Sequence, residues 1–92
     1  MGLAQRAGKI ISGENMVKEA LTKNKPVHLL IMAGDASPRV KKEFIFLAEK
    51  KKIQLQEISE KEELGGSIGK GERAIIAVID INFAKSLKEL EE

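Results

Sequence analysis

Ninety-two residues, 42% of them hydrophobic and 33% charged, suffice for one globular domain, and we expect residues 1–92 to form a single unit. Sixteen Lys and Arg against fourteen Asp and Glu give a formal net charge of +2, which by itself favours no class of partner. The sequence has no Cys, Trp or Tyr and only three Phe, which excludes disulfides, thiolate metal sites and an aromatic platform for stacking single-stranded bases.

No apolar run approaches the roughly 20 residues that a membrane helix needs. No secretory pattern of a basic start, a short apolar core and a small-residue cleavage site is present either. We therefore expect a cytoplasmic protein that contacts no membrane, needs no cofactor or metal, and acts as a monomer.

The hydrophobic periods of the first third predict two helices and a strand. A short helix is expected over Leu3–Ala7, and Ile10-Ile11 is a candidate short strand. Ser12-Gly13-Glu14 is a turn-and-cap cluster, and it opens a helix that should run to about Asn24.

The middle of the chain predicts a buried strand followed by a long helix. Val27–Ala33 is a nearly unbroken apolar run, typical of a strand that is covered on both faces. Ser37 is placed to cap the next helix, with Pro38 at its first position. That helix should bury a stripe of four apolar side chains: Val40, Phe44, Leu47 and Ala48.

The last third continues the alternation of strands and helices. Ile53–Gln56 has strand-like alternation, and a capping box of Ser59 and Glu62 predicts a small helix that ends at Leu64-Gly65-Gly66. The apolar run Ala74–Ile79 predicts a second buried strand. Asp80-Ile81-Asn82 then caps a last helix, whose inward side chains should be Phe83, Leu87 and Leu90.

This order of elements predicts an α/β protein. We expect a three-layer α/β/α sandwich around a small, mainly parallel or mixed sheet of about four strands, joined by right-handed crossovers.

The sequence offers little for catalysis. His28 lies between apolar residues in the predicted central strand, which favours a structural role, and no nucleophile sits in a recognisable elbow. Asp35 follows the end of that strand, where α/β folds place ligands, but an acid in such a turn more often bonds its own backbone. The run Gly65–Gly71 lacks the glycine and hydroxyl positions of a nucleotide-binding phosphate loop. We therefore predict a protein that is not an enzyme.

The basic residues are concentrated in two segments. Within the first 25 residues, five basic side chains outnumber two acidic ones, and Lys70 and Arg73 lie in the glycine-rich segment from Ser67 to Arg73. If the helix start at residues 12–15 lies beside that segment, the two form one face with a helix N-terminus for phosphate and the Asn15 amide for base edges. The candidate RNA-binding residues are Lys9, Gly13, Glu14, Asn15, Lys18, Lys70 and Arg73. The alternative is that Ser12, Glu14 and Asn15 only cap a helix.

Four blocks of the sequence carry a resemblance to a known family. They are Leu3–Lys9, Ser12–Asn15, Ile31–Pro38 and Leu64–Lys70. Together they resemble the ribosomal protein family L-seven-Ae and L-thirty-e, and within it the small bacterial YlxQ group. The resemblance implies an α/β/α sandwich that binds kink-turn RNA, a sharply bent helix with tandem sheared G·A pairs, through the start of its second helix and the loop before its last strand.

The family signature Gly-x-Asn-Glu-x-x-Lys matches this sequence only in part. Its glycine and asparagine fall on Gly13 and Asn15, whereas its glutamate falls on Met16 and its lysine on Glu19. Lys18 replaces the lysine only in part, because adjacent helical residues point about 100° apart. In the second contact loop, apolar residues of many members are replaced here by Lys70-Gly71-Glu72-Arg73, so that contact should be more electrostatic.

Two functional hypotheses follow. The first is a non-catalytic protein that binds a kink-turn or ribosomal RNA in the translation machinery, with the ribosome or translation factors as partners. The second is a family member with a weakened RNA site that acts as a protein-interaction or regulatory module. Phe46 bears on the second, because it lies well off the buried stripe. We expect Phe46 to pack under a loop, and an exposed apolar anchor is the alternative.

Overall fold

The computed structural model describes residues 10–58, 60–67, 71–82, 84 and 85. The elements in chain order are β1 Ile10–Ser12, α1 Glu14–Thr22, β2 Leu29–Ala33, α2 Pro38–Lys51, β3 Leu55–Ile58, α3 Lys61–Ser67 and β4 Ile75–Val78. Residues 81, 82, 84 and 85 are also helical, as the sequence predicts after Asp80. The predicted helix over Leu3–Ala7 and the predicted inward side chains of Phe83, Leu87 and Leu90 lie outside the described residues.

The strands form one mixed sheet in the order β1-β4-β2-β3. β2 pairs in parallel with β3, whereas β4 is antiparallel to both β1 and β2. The predicted α/β fold with a small sheet of about four strands is therefore confirmed in its mixed form, and a mainly parallel sheet is wrong.

The direction of β4 follows from the short connection before it. β3 ends beside the end of β2, with Ile58 opposite Ala33, and β4 begins at the same edge, with Ile75 opposite Met32. α3, which lies between β3 and β4, has seven residues, so it spans only about 10 Å. Because the chain does not return to the far edge of the sheet, β4 runs back antiparallel.

Both faces of the sheet are covered, as the continuous apolar runs predict. Leu30 and Met32 of β2 point to one face, where α1 and α2 pack around the fully buried Phe44. The alternate residues of β2 point to the other face, where they meet Leu64 of α3 and Ala84. The described residues thus form three layers, with β2 and β4 buried along their whole length.

Local backbone chemistry sets the ends of α1 and α2. α1 is followed by Asn24 in the left-handed region (φ 56°), two residues before Pro26. The Ser37 hydroxyl accepts a hydrogen bond from the Val40 amide (3.3 Å), which confirms the predicted cap. Lys52, with φ 58°, ends α2.

β2 and β4 are each two residues shorter than predicted, and two further boundaries are wrong. The strand expected over Ile53–Gln56 lies at Leu55–Ile58, because the left-handed turn at Lys52 first directs the Ile53 amide back to the Ala48 carbonyl. α3 does not end at its glycines but continues to Ser67. A β-carbon at Gly65 would overlap the Gly71 carbonyl oxygen, so the glycine permits close approach of the following loop instead of ending the helix.

Phe46 does not pack under a loop. It lies on the outer side of α2 and is 61% exposed, whereas Phe44, two residues earlier, is fully buried. The structure therefore favours the alternative in which Phe46 is an exposed apolar side chain.

The contrast between these two rings gives a test of the fold. Phe44→Ala should lower the free energy of unfolding by about 3–5 kcal/mol, because it removes a buried ring and leaves a cavity. Phe46→Ala, a matched control on the same helix, should change it by less than about 0.5 kcal/mol. Urea denaturation followed by circular dichroism measures both, and equal losses for the two variants would contradict the placement of α2.

Candidate functional site

Two segments that are distant in the sequence meet at one edge of the sheet. The start of α1 follows β1, and the Gly13 amide donates a hydrogen bond to the Ile75 carbonyl (3.0 Å) at the beginning of β4. Between the segments lies an open groove of about 420 Å³, which we call the α1–β4 groove. It is lined by Ser12, Gly13, Glu14, Asn15, Met16, Glu72, Arg73 and Ala74.

The first turn of α1 presents its backbone amides to this groove. Gly13 precedes the helix with φ 95° and ψ 149°, a backbone conformation that glycine adopts without strain. No side chain caps the helix start, which contradicts the alternative that Ser12, Glu14 and Asn15 only cap α1. Uncapped amides and the helix dipole together favour an anion at this position.

Arg73 is fixed beside the helix start by its own hydrogen bonds. Its Nε donates to the Ser12 hydroxyl (3.4 Å), and its Nη1 donates to the carbonyls of Gly71 (3.3 Å) and Glu72 (2.8 Å). The Ser12 hydroxyl thus accepts a hydrogen bond from Arg73, and the side chain of this half-buried residue is held at the wall of the groove. The condition set for a shared face, that residues 12–15 lie beside the segment that ends at Arg73, is met at Glu72 and Arg73.

Asn15 and Met16 are the exposed side chains of the first turn. Asn15 makes no hydrogen bond with another described residue, so its amide is available to a ligand. Met16, at the position of the family's glutamate, is 57% exposed. The groove therefore combines one uncommitted amide with one exposed apolar side chain.

Glu14 is neutralised by a residue that the sequence analysis did not single out. Its Oε1 accepts a hydrogen bond from Nη2 of Arg39 (3.0 Å), near the start of α2. Both helices begin at the same edge of the sheet, which is the signal that could have suggested this pair. The pairing reduces the repulsion that a free carboxylate would exert on an anion at the start of α1.

The other predicted basic residues are either engaged elsewhere or outside the described residues. Lys18 pairs with Glu43 of α2 (3.1 Å), and it does not line the groove. Glu19 accepts a hydrogen bond from Lys23 (2.8 Å), and this bond and the charge of Lys23 lower the pKa of Glu19. Lys9 and Lys70 lie outside the described residues.

The wall that carries Arg73 is anchored on α3. The Arg73 amide donates to the Lys61 carbonyl (3.1 Å), while the Lys61 amide donates to Oδ1 of Asp35 (2.7 Å). Asp35 therefore bonds the backbone of α3, 26 residues away, and the expectation that it bonds its own turn is wrong. Ser59, the predicted cap, lies outside the described residues. The contact of Gly65 with Gly71 closes the same junction.

Other kinds of site find no support in the described part of the chain. There, no three His, Asp or Glu side chains are grouped as metal ligands would be. Nor is any described helix long and apolar enough to cross a membrane. His28 is half-buried beside β2, and its backbone amide donates to the Val78 carbonyl (2.9 Å).

Comparisons with known proteins agree with this architecture. The model of the ribosomal protein L7Ae/L30e/S12e/Gadd45 family matches residues 1–88. Two proteins named RNA-binding protein YlxQ are each 34% identical to this chain. The match with the protein of Bacillus subtilis (strain 168) covers 98% of this chain and 89% of that protein. The match with the protein of Enterococcus faecium covers 100% of this chain and 87% of that protein. A solved structure of a protein with unknown function from Bacillus halodurans C superposes with a TM-score of 0.84 and 32% identity, over 92% of this chain and 85% of that one. The chain therefore belongs to the ribosomal protein L7Ae/L30e/S12e/Gadd45 family.

Proposed function

We propose that this protein is a non-catalytic RNA-binding protein that recognises a kink-turn, or a similarly bent structured RNA, through the α1–β4 groove. The observation that carries the proposal is the convergence of the uncapped start of α1 with the fixed Arg73 guanidinium. The name of the YlxQ relatives, RNA-binding proteins at 34% identity over nearly the whole chain, supports it.

Each part of the groove suits a different part of a folded RNA. The amides of the first turn of α1 and the Arg73 guanidinium suit phosphates, and the exposed Asn15 amide suits base edges. Gly13 has open space where a β-carbon would lie, so an RNA backbone can approach it closely. An open groove of this kind fits a shape already folded in the RNA better than it fits an extended single strand.

The departures from the family signature define what kind of binder we propose. Lys18 is paired with Glu43, and Met16 offers no carboxylate to a guanine, so the site relies on Asn15, Arg73 and backbone amides. We propose ribosomal RNA or another RNA of the translation machinery as the target and the ribosome or translation factors as partners. The protein would act in the cytoplasm as a monomer without a cofactor.

Asn15→Ala tests selective recognition. The variant should lose the preference for a kink-turn RNA over a control RNA in which the G·A pairs are replaced, because the side chain that reads base edges is gone. Each mismatched contact of this kind changes affinity by about 1–3 kcal/mol. Fluorescence anisotropy titrations with both RNAs measure the preference.

A matched control is Asn82→Ala, which changes another exposed asparagine, located beyond the opposite end of β4. It should leave the preference intact. If the wild-type protein bound the kink-turn RNA and the control RNA equally, selective recognition would be refuted.

Arg73→Ala tests the electrostatic part of the groove. It should weaken binding to both RNAs and lower the slope of log K against log salt concentration by about 1, because one phosphate contact is lost. Arg73→Lys keeps the charge and should keep most of the slope. Lys25→Ala, at an exposed position just before β2, should change neither quantity. An unchanged slope in Arg73→Ala would exclude this wall of the groove from the RNA contact.

The two adjacent glycines of α3 test whether the position of Arg73 matters. An alanine at Gly65 would displace the backbone of Gly71, whereas an alanine at Gly66 meets open space. Gly65→Ala should therefore reduce affinity for the kink-turn RNA about tenfold, and Gly66→Ala should not. Circular dichroism checks that both variants fold. Equal affinities in two folded variants would show that the junction with α3 does not position the site.

A further inference from the structure

We infer that the outer face of α2 holds a second contact site, at which Phe46 stacks on an unpaired base of RNA that extends beyond the α1–β4 groove. The inference rests on the proposed function, since it assigns a further part of the same RNA to a surface outside that groove. It departs from the expectation, drawn from composition, that this chain has no aromatic platform for single-stranded bases.

The first observation is the position of the ring. Phe46 is 200° around α2 from the fully buried Phe44, so its ring points away from the sheet and is 61% exposed. Because most of the ring is exposed, its burial contributes little to the stability of the fold. Such a side chain is available for a contact with another molecule.

The second observation is the charge around the ring. Lys42 and Lys50 lie one turn before and one turn after Phe46, each about 6 Å along the helix axis. Within the described residues neither makes an ion pair or a side-chain hydrogen bond, whereas Arg39, Lys41 and Lys51 of the same helix all have partners. The exposed ring therefore lies between two uncommitted ammonium groups.

The acidic residues nearby do not cancel this charge. Glu43, on the preceding turn, is already paired with Lys18 and lies near Arg39. Glu49, on the following turn, is exposed and has no ion-pair partner among the described residues. Two lysines against one uncommitted carboxylate leave a positive surface around an aromatic ring.

A nucleotide is the ligand whose chemistry matches this surface. Its base presents a flat face to the ring, and the phosphates on either side present negative charge to the two lysines. An acidic protein partner fits less well, because stable protein interfaces bury about 800 Å² on each side around an apolar centre. On α2 the ring has only Ile45, 41% exposed, as an apolar neighbour on the surface.

The site is also within reach of an RNA strand that leaves the groove past Arg39. Arg39, which bonds Glu14 of the groove, lies on nearly the same side of α2 as Phe46, seven residues earlier. Seven residues correspond to about 10 Å along the helix and to within about 20° of two full turns. A strand that passes Arg39 therefore reaches Phe46 within a few nucleotides.

The experiment compares a kink-turn RNA with blunt ends and the same RNA carrying an unpaired stretch of about five adenosines, placed at each strand end in turn. At least one extension should raise the affinity of the wild-type protein by about fivefold or more. Phe46→Ala should abolish this gain without changing the affinity for the blunt RNA. Phe46→Trp should keep the gain, since it keeps an aromatic face.

Two further variants separate stacking from other contacts. Phe46→Leu keeps an apolar side chain without an aromatic face and should behave like Phe46→Ala, while Ile45→Ala should leave the gain unchanged. Lys42→Gln with Lys50→Gln should lower the salt slope for the extended RNA by about 1.4.

The inference is overturned if no extension raises wild-type affinity, or if Phe46→Ala or Phe46→Leu keeps the gain. It is also overturned if Phe46→Ala binds every RNA as the wild type does, which is the result expected if α2 docks a protein. Failure of the proposed function gives a different result, namely equal wild-type affinity for the blunt kink-turn and the blunt control with its G·A pairs replaced. The effect of Phe46 can still be measured in that case, because the same extension can be attached to the control RNA.

Discussion

The antiparallel position of β4 between β1 and β2 is the constraint on which both the fold and the groove depend. Because β4 runs against its neighbours, its first residue lies at the edge where the other strands end, and Gly13 bonds directly to Ile75. A parallel β4 would place Arg73 at the opposite edge, about four residues of strand away from the start of α1. The helix start and the arginine would then not share a groove. The direction of one strand thus decides whether the site exists.

The same edge is held mainly by hydrogen bonds, several of them between backbone groups. Asp35 fixes the start of α3, the Lys61 carbonyl of α3 fixes Arg73, and Arg73 in turn bonds Ser12 at the start of α1. This chain of bonds connects three loops that are remote in the sequence. Groups fixed before binding lose less conformational entropy when a ligand arrives, so such an edge suits recognition of a ligand that has its own fixed shape.

The sequence shows which residues are buried much better than it shows how they are arranged. Periodicity alone predicts α1, α2, β2 and β4, because burial on one or both faces leaves a direct pattern in the order of residues. Strand direction leaves none, and so the mixed sheet could not be read from the apolar runs. The pairs Arg39 with Glu14 and Asp35 with Lys61 span 25 and 26 residues, so no local motif reveals them. The nearness of residues 12–15 to Arg73 could be stated only as a condition, because it depends on the direction of β4.

The structure also changes what the charge of the chain means. A net charge of +2 suggests a balanced surface, but three charged side chains of α1 are already in ion pairs. Lys18 pairs with Glu43, Glu19 with Lys23, and Glu14 with Arg39. Among the described residues that line the groove, Arg73 is the one with a cationic side chain, and it lies next to uncapped amides. Non-specific affinity for nucleic acids grows with the number of phosphates that a protein neutralises. With a single cation among its described lining residues, such a site would bind arbitrary RNA weakly. Under the proposed function, its affinity for a preferred RNA comes from geometry, through the Asn15 amide, the start of α1 and the fixed Arg73.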